Sequence, residues 1–149
     1  MKLNRMKTVD SFMEPENHET QDFPLQYRLD KPGEFETECI SWHWHREFEL
    51  DLVSSGEIMC VAGERQFVVS EGEGIFLGSG AFHQLSEART GTVLPNILFA
   101  PEFLAEENSR IFKNYIAPFL DQGIICQKLS PGTPWQREIL QCLCEIFGF

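Results

Sequence analysis

The 149-residue chain has no apolar run near the roughly 18 residues that a membrane-crossing helix needs. Its opening stretch, MKLNRMKTVDSFMEPENHETQD, also lacks the apolar segment of a secretory signal. A cytoplasmic protein with no membrane partner is the expectation. Basic residues are scarce: 12 Lys and Arg stand against 23 Asp and Glu, for a net charge of −11. That balance argues against this chain gripping nucleic acid or an anionic membrane by itself, because both need clustered cations. There is no CxxC pair. The five cysteines, Cys39, Cys60, Cys126, Cys142 and Cys144, are odd in number, which argues against a disulfide framework and a cysteine zinc knuckle. They are expected to be reduced thiols, mostly buried. Histidine is rare as well, with four in the chain.

What is present is enough apolar and aromatic residue, 42% and 12%, for one domain with a real core. Residues 1–22 are polar and unpatterned and read as a mobile arm. FPLQYRL sets Phe23, Leu25, Tyr27 and Leu29 on one side of a short edge strand. Short strands then alternate with glycine-rich turns: Ile40 to Val53, Glu57 to Ala62, Arg65 to Ser70, Ile75 to Leu77 and Thr92 to Phe99. This spacing predicts an antiparallel sandwich or barrel. The period changes in the last third. Asn108 to Leu120 carries Ile111, Phe112, Tyr115, Ile116 and Phe119 at helical spacing, and Ile124 to Leu129 reads as a strand. SPGTPWQREILQCLCEIFGF predicts a helix with Thr133 as N-cap, Pro134 at its first position, Gln136 completing a capping box, and Trp135, Ile139, Leu140, Leu143, Ile146 and Phe147 as one apolar stripe.

Three of the four histidines, His43, His45 and His83, fall in this strand region; His18 lies in the arm. The stretch SWHWHREFELDLVSSG has two faces if read by twos as one strand. One carries His43, His45, Glu47, Glu49 and Asp51; the other carries Trp42, Trp44, Arg46, Phe48, Leu50 and Leu52. Two imidazoles and a carboxylate leaving from one face can converge on one ion, a ligand set suited to zinc, nickel, iron or manganese. His83 is the candidate fourth ligand. Burying Glu47, Glu49 and Asp51 together without a cation would cost several kcal/mol. They need a metal, a polar ligand, open solvent or an arginine such as Arg65, so Glu47 or Asp51 is expected near a barrel mouth. The tryptophan face is read as packing, with C-terminal helices as its cover.

These residues carry a resemblance. HWHREFELDLVSSG resembles the first cupin motif, H-x-H-x3-E-x6-G, through His43, His45, Glu49 and Gly56. GEGIFLGSGAFH resembles the second through Gly72, Gly80 and His83. There are departures: Gly78 replaces the usual proline, Glu87 the closing asparagine and Thr37 the opening glycine. The resemblance implies a mainly β fold, a cupin double-stranded β-helix (jelly-roll) barrel followed by C-terminal α-helices. It also implies a divalent metal on His43, His45, Glu49 and His83, with Glu47 and Arg65 added as ligand-binding candidates.

The order of parts resembles the N-terminal half of AraC-type transcription regulators, through SWHWHREFELDLVSSGEI, the GEG…GAFHQL turn and PGTPWQREILQCLCEIF. That resemblance implies an arm at 1–22, an effector-binding barrel at 23–105 and a helical dimerisation or linker region at 106–149. It implies a small-molecule effector such as a sugar or metabolite, a homodimer, and no catalysis. DNA would be bound by a C-terminal helix-turn-helix domain, and the chain is expected to be cut before it. The alternative is a stand-alone metal-dependent cupin enzyme, an isomerase or oxygenase, with Glu47 as the available general base.

Overall fold

The computed structural model describes Met13 and residues 24–35 and 37–149. The arm expected at 1–22 lies outside the described residues except for Met13, which makes a parallel bridge to Trp44. Phe23 and His18 also lie outside them.

Among the described residues, nine strands build two antiparallel sheets. Strands β1 (Leu25–Asp30), β3 (Phe48–Leu52), β6 (Gly74–Leu77), β8 (Leu94–Phe99) and β9 (Cys126–Leu129) form one sheet in the order β1-β8-β3-β6-β9. Strands β2 (Ile40–His43), β4 (Glu57–Ala62), β5 (Arg65–Ser70) and β7 (His83–Ser86) form the other in the order β2-β7-β4-β5. The chain passes repeatedly from one sheet to the other, the topology of the double-stranded β-helix that the motifs imply. Ile58, Cys60, Ala62, Val69 and Leu85 of one sheet meet Ile75, Leu77 and Leu94 of the other in a shared core.

The five-stranded sheet is covered on its outer face too. Helix α2 (Pro134–Phe147) sets Leu140 and Leu143 on Phe48, Leu52, Ile97, Phe99 and Leu129, with Phe76 and Phe119 at the margin. All six residues of β8 are buried for this reason. Burial on both sides turns a strand pattern into a continuous apolar run, and LPNILF breaks that run only at Asn96. The Phe48, Leu50 and Leu52 side of β3 therefore packs beneath α2, which leaves Glu49 and Asp51 facing the barrel interior.

Four local readings differ from expectation. Ile40 to Val53 is not one strand: β2 and β3 belong to different sheets, and residues 44–47 turn the corner between them. The helix read over Asn108 to Leu120 forms at residues 110–121, but its middle at Phe112–Ile116 is π-helical before α1 (Ala117–Asp121). Thr133 precedes α2 but makes no side-chain cap, and Gln136 Oε1 instead accepts the Ser130 amide at 2.9 Å. The single apolar stripe read along α2 splits in two. Leu140 and Leu143 are buried, whereas Trp135 and Ile146 are more than half exposed.

The motif glycines have distinct reasons. Gly56 and Gly72 have φ of +83° and +86°, backbone that side chains with a Cβ resist. Gly78, at the usual proline position, is a matter of space: a Cβ there would lie 1.8 Å from the Ile124 carbonyl oxygen. Its amide also donates to Ile125 O at 2.9 Å, a bond that proline cannot make. Glu87, in place of the closing asparagine, has φ +51°, in the left-handed region that asparagine visits more readily.

Candidate metal centre in the barrel

The corner at residues 44–47 brings the ligands together. His43 ends β2 and pairs in register with His83, which opens β7 in the same sheet. His45 lies in the bend, and Glu49 stands on the inner face of β3 in the opposite sheet. One ligand atom from each of His43, His45, Glu49 and His83 lies within 4.8 Å of the other three, and all four residues are buried. A single straight strand could not have faced His43 and Glu49 across the barrel. The change of sheet allows it.

Each imidazole is oriented by a backbone carbonyl two residues away. Nδ1 of His43 donates to Ser41 O at 2.8 Å, that of His45 to Glu47 O at 3.0 Å, and that of His83 to Ala81 O at 2.8 Å. A carbonyl oxygen only accepts, so each Nδ1 carries the proton and the neutral ring presents a lone pair at Nε2. This is how metal-binding imidazoles are generally held. His83 Nε2 is fully buried, has no hydrogen-bond partner and lies 3.6 Å from Glu49 Oε2. His45 Nε2 lies 2.7 Å from the same oxygen. Two electron-pair donors this close need a proton or a cation to hold them. Two ligands about 2.1 Å from an ion at right angles stand about 3 Å apart, near the observed separation.

The electrostatics favour a neutral His83 beside an ionised Glu49. Burial pushes the His83 pKa down to about 4; Glu49 opposes this, and His43 and His45 add to it. Burial alone would raise the Glu49 carboxyl. The hydrogen bond and charge of His45 lead the opposing effects and hold Glu49 below the usual carboxylate range. His83 is thus deprotonated and Glu49 charged at neutral pH, the states in which both bind metal. These residues fit a divalent metal by donor type, tautomer and the orphaned His83 Nε2.

The remaining candidates lie elsewhere. Glu47 is one-third exposed at the corner, with Oε2 3.8 Å from His45 Nδ1, the ring nitrogen turned away from Glu49. Arg65 is not brought to the cluster: it is exposed, donates to Cys126 O at 2.8 Å and lies over the Phe67 ring. The cationic neighbour of the barrel carboxylates is Arg28 of β1, whose charge acts on Asp51. The alternation of Gln26, Arg28 and Asp30 along β1 was the available signal. Asp51 is the deepest acid, fully buried beside Glu49. Burial and the Glu49 charge push its pKa well above the usual range, and Glu49 can also share a proton held on Asp51. By distance and angle, however, neither Asp51 oxygen is hydrogen-bonded. All five cysteines are free, and burial raises the Cys60 and Cys126 thiols, which suits packing rather than ligation.

The family model described as AraC-like ligand binding domain matches residues 34–146. A curated relative, the uncharacterized HTH-type transcriptional regulator YdeC of Bacillus subtilis (strain 168), is 26% identical over 110 residues. That match covers 72% of this chain and 37% of the relative, so the chain spans little more than a third of the regulator's length. Among solved structures, an RmlC-like cupin from Shewanella frigidimarina is 21% identical with a TM-score of 0.44, covering 55% of this chain and 72% of that one. A cupin 2 conserved barrel domain protein from Salinispora arenicola is 16% identical with a TM-score of 0.42, covering 56% and 70%.

Proposed function

The chain belongs to the AraC-like ligand binding domain family, and on that premise we propose that its barrel senses a small molecule for a cytoplasmic transcription regulator. The observation that carries this reading is the set of buried, unlike polar side chains gathered inside a closed apolar barrel. Such a set is costly to maintain without a ligand to satisfy it. DNA contact belongs to a helix-turn-helix part of the regulator, since the −11 charge of these residues opposes it. His43, His45, Glu49 and His83 are the residues that would hold a divalent metal, which would fix the cluster and offer an open position to an effector oxygen or nitrogen.

Dimerisation is assigned to α2. Trp135, Ile139, Cys142 and Ile146 recur at i, i+4, i+7 and i+11, a second apolar stripe beside the buried one. Trp135, Cys142 and Ile146 are exposed. A matching helix from a second copy would cover that stripe, and effector binding would shift its packing.

The test is a screen of metals and small metabolites against thermal unfolding of the 149-residue protein, with sedimentation velocity on each stabilised complex. Stabilisation together with a change in self-association supports sensing. If no metal or metabolite raises Tm, the reading is lost. A stand-alone metal enzyme is the second reading, favoured by the orphaned His83 Nε2. It requires turnover that disappears with His83→Ala, and Glu47, placed on the far edge of the His45 ring, is poorly set to act as its base.

A further inference from the structure

The barrel holds a second set of polar atoms that the metal ligands do not use. The strand register aligns Arg28 with Asn96 and Asn96 with Asp51, so the three side chains form one row across β1, β8 and β3. Asn96 is 1% exposed; its Nδ2 donates to Asp30 Oδ2 at 2.8 Å and to Leu94 O at 3.2 Å. That leaves Asn96 Oδ1 without a partner, and both oxygens of fully buried Asp51 are in the same condition. Three buried oxygen atoms on adjacent strands are therefore unsatisfied, each costing free energy until a hydrogen-bond partner reaches it. Asp51 lies two residues from Glu49 on the same strand face, about 7 Å along β3.

We propose that Asp51 and Asn96 form a hydrogen-bond-accepting subsite that recognises the hydroxyl or amino donors of the effector beside the His43, His45, Glu49 and His83 cluster. This rests on the effector-sensing reading and adds the ligand's chemistry. Asn96 Oδ1 and the carbonyl oxygen that Asp51 keeps even when it holds a proton are both acceptors, so the ligand must offer at least two donors from one side. An anionic group would set its own acceptor oxygens against Asn96 Oδ1 and Asp51, with no donor between them. An anionic ligand is disfavoured. A neutral or amino-bearing polyhydroxylated molecule, small enough to reach from Asp51 to the cluster, fits.

The experiment is thermal unfolding of the 149-residue protein with glucose, a mixed set of neutral pentoses, hexoses and polyols, glucosamine, and the anionic gluconate and glucose 6-phosphate. Neutral or amino compounds are expected to raise Tm, and the anions are not. Asp51→Leu and the isosteric Asp51→Asn are expected to weaken the strongest such ligand roughly 10- to 100-fold. Asp51→Leu should leave the unliganded Tm unchanged or higher, because it removes acceptors that the fold does not satisfy. A structural Asp51 would behave in the opposite way: a lower unliganded Tm in both variants with ligand shifts intact overturns the subsite. Stabilisation by the anions alone also overturns it while leaving effector sensing in place. Silence from every compound here overturns the subsite alone if a metal or another metabolite still raises Tm, and overturns both readings if none does.

Discussion

His45 Nε2 and Glu49 Oε2 lie 2.7 Å apart, one in the corner between the sheets and the other on β3. The Nδ1 proton of His45 is committed to Glu47 O, so this contact joins a lone pair to a carboxylate unless a cation or a second proton intervenes. A metal ion satisfies both donors and the bare Nε2 of His83 at once. Purified without chelator or dialysed against zinc or manganese, the protein should take up one divalent ion per chain and gain stability with the logarithm of ion concentration above Kd. Glu49→Gln and His83→Ala should each weaken uptake by about 100-fold or more. Equal metal content in wild type and both variants, read by elemental analysis, would reduce the four residues to pocket lining.

The depressed pKa of His83 sets a pH dependence. In the unfolded chain the ring titrates near 6.5, and in the fold near 4, so between these values the unfolded state binds the extra proton. Stability is therefore unaffected above pH 6.5 and falls as pH drops towards 4. The limit is about 3 kcal/mol, from a difference of about 2.5 pH units. Glu49 acts in the same direction at lower pH, since its depressed carboxyl contributes stability above its unfolded value and loses it on acidification. Urea unfolding of metal-free protein between pH 7 and 4 should show the decline, and His83→Asn should flatten its upper part. An unchanged slope in that variant would remove His83 as its source.

Gly78→Ala should destabilise by about 2 kcal/mol or more, because the added Cβ would have to displace the Ile124 carbonyl, and with it the approach to β9. Gly132→Ala is the control: nothing lies within 4 Å of a Cβ there, and its effect should stay within about 0.5 kcal/mol. Equal denaturant midpoints for the two variants would show that the loop at Ile124 yields freely.

Trp135→Ser and Ile146→Asp should shift a dimer towards monomer by at least tenfold in dissociation constant, since hot spots at interfaces of this kind concentrate in aromatic and central apolar residues. Monomer Tm should hardly change, because both side chains are more than half exposed on the described chain. Sedimentation velocity over a concentration series separates the cases. Wild-type monomer at all concentrations would end the assignment of α2 as a dimer contact.

Much of the site was written in local order. His43, His45 and Glu49 at spacings of two and four, followed by His83 after a glycine turn, marked both the barrel and its ligands. The alternation of β3 marked which side of that strand would lie beneath apolar residues, because a two-residue period is a local property of extended chain. The helix signals at Pro134 were local as well, although Gln136 turned to Ser130 rather than to a cap, a choice between two acceptable partners that only packing decides.

Register and layer contact lay beyond such reading. Where β2 leaves one sheet and β3 enters the other is settled by how nine strands close, and that closure brings His43 and Glu49 face to face. The same closure set Arg65 outside against Phe67 and Cys126, while Arg28, distant in sequence, came into line with Asn96 and Asp51. The sequence by itself determined which residues could bind, because ligand chemistry and strand period belong to each short stretch. The tertiary structure decided which of them meet, because antiparallel pairing and burial are long-range relations between strands.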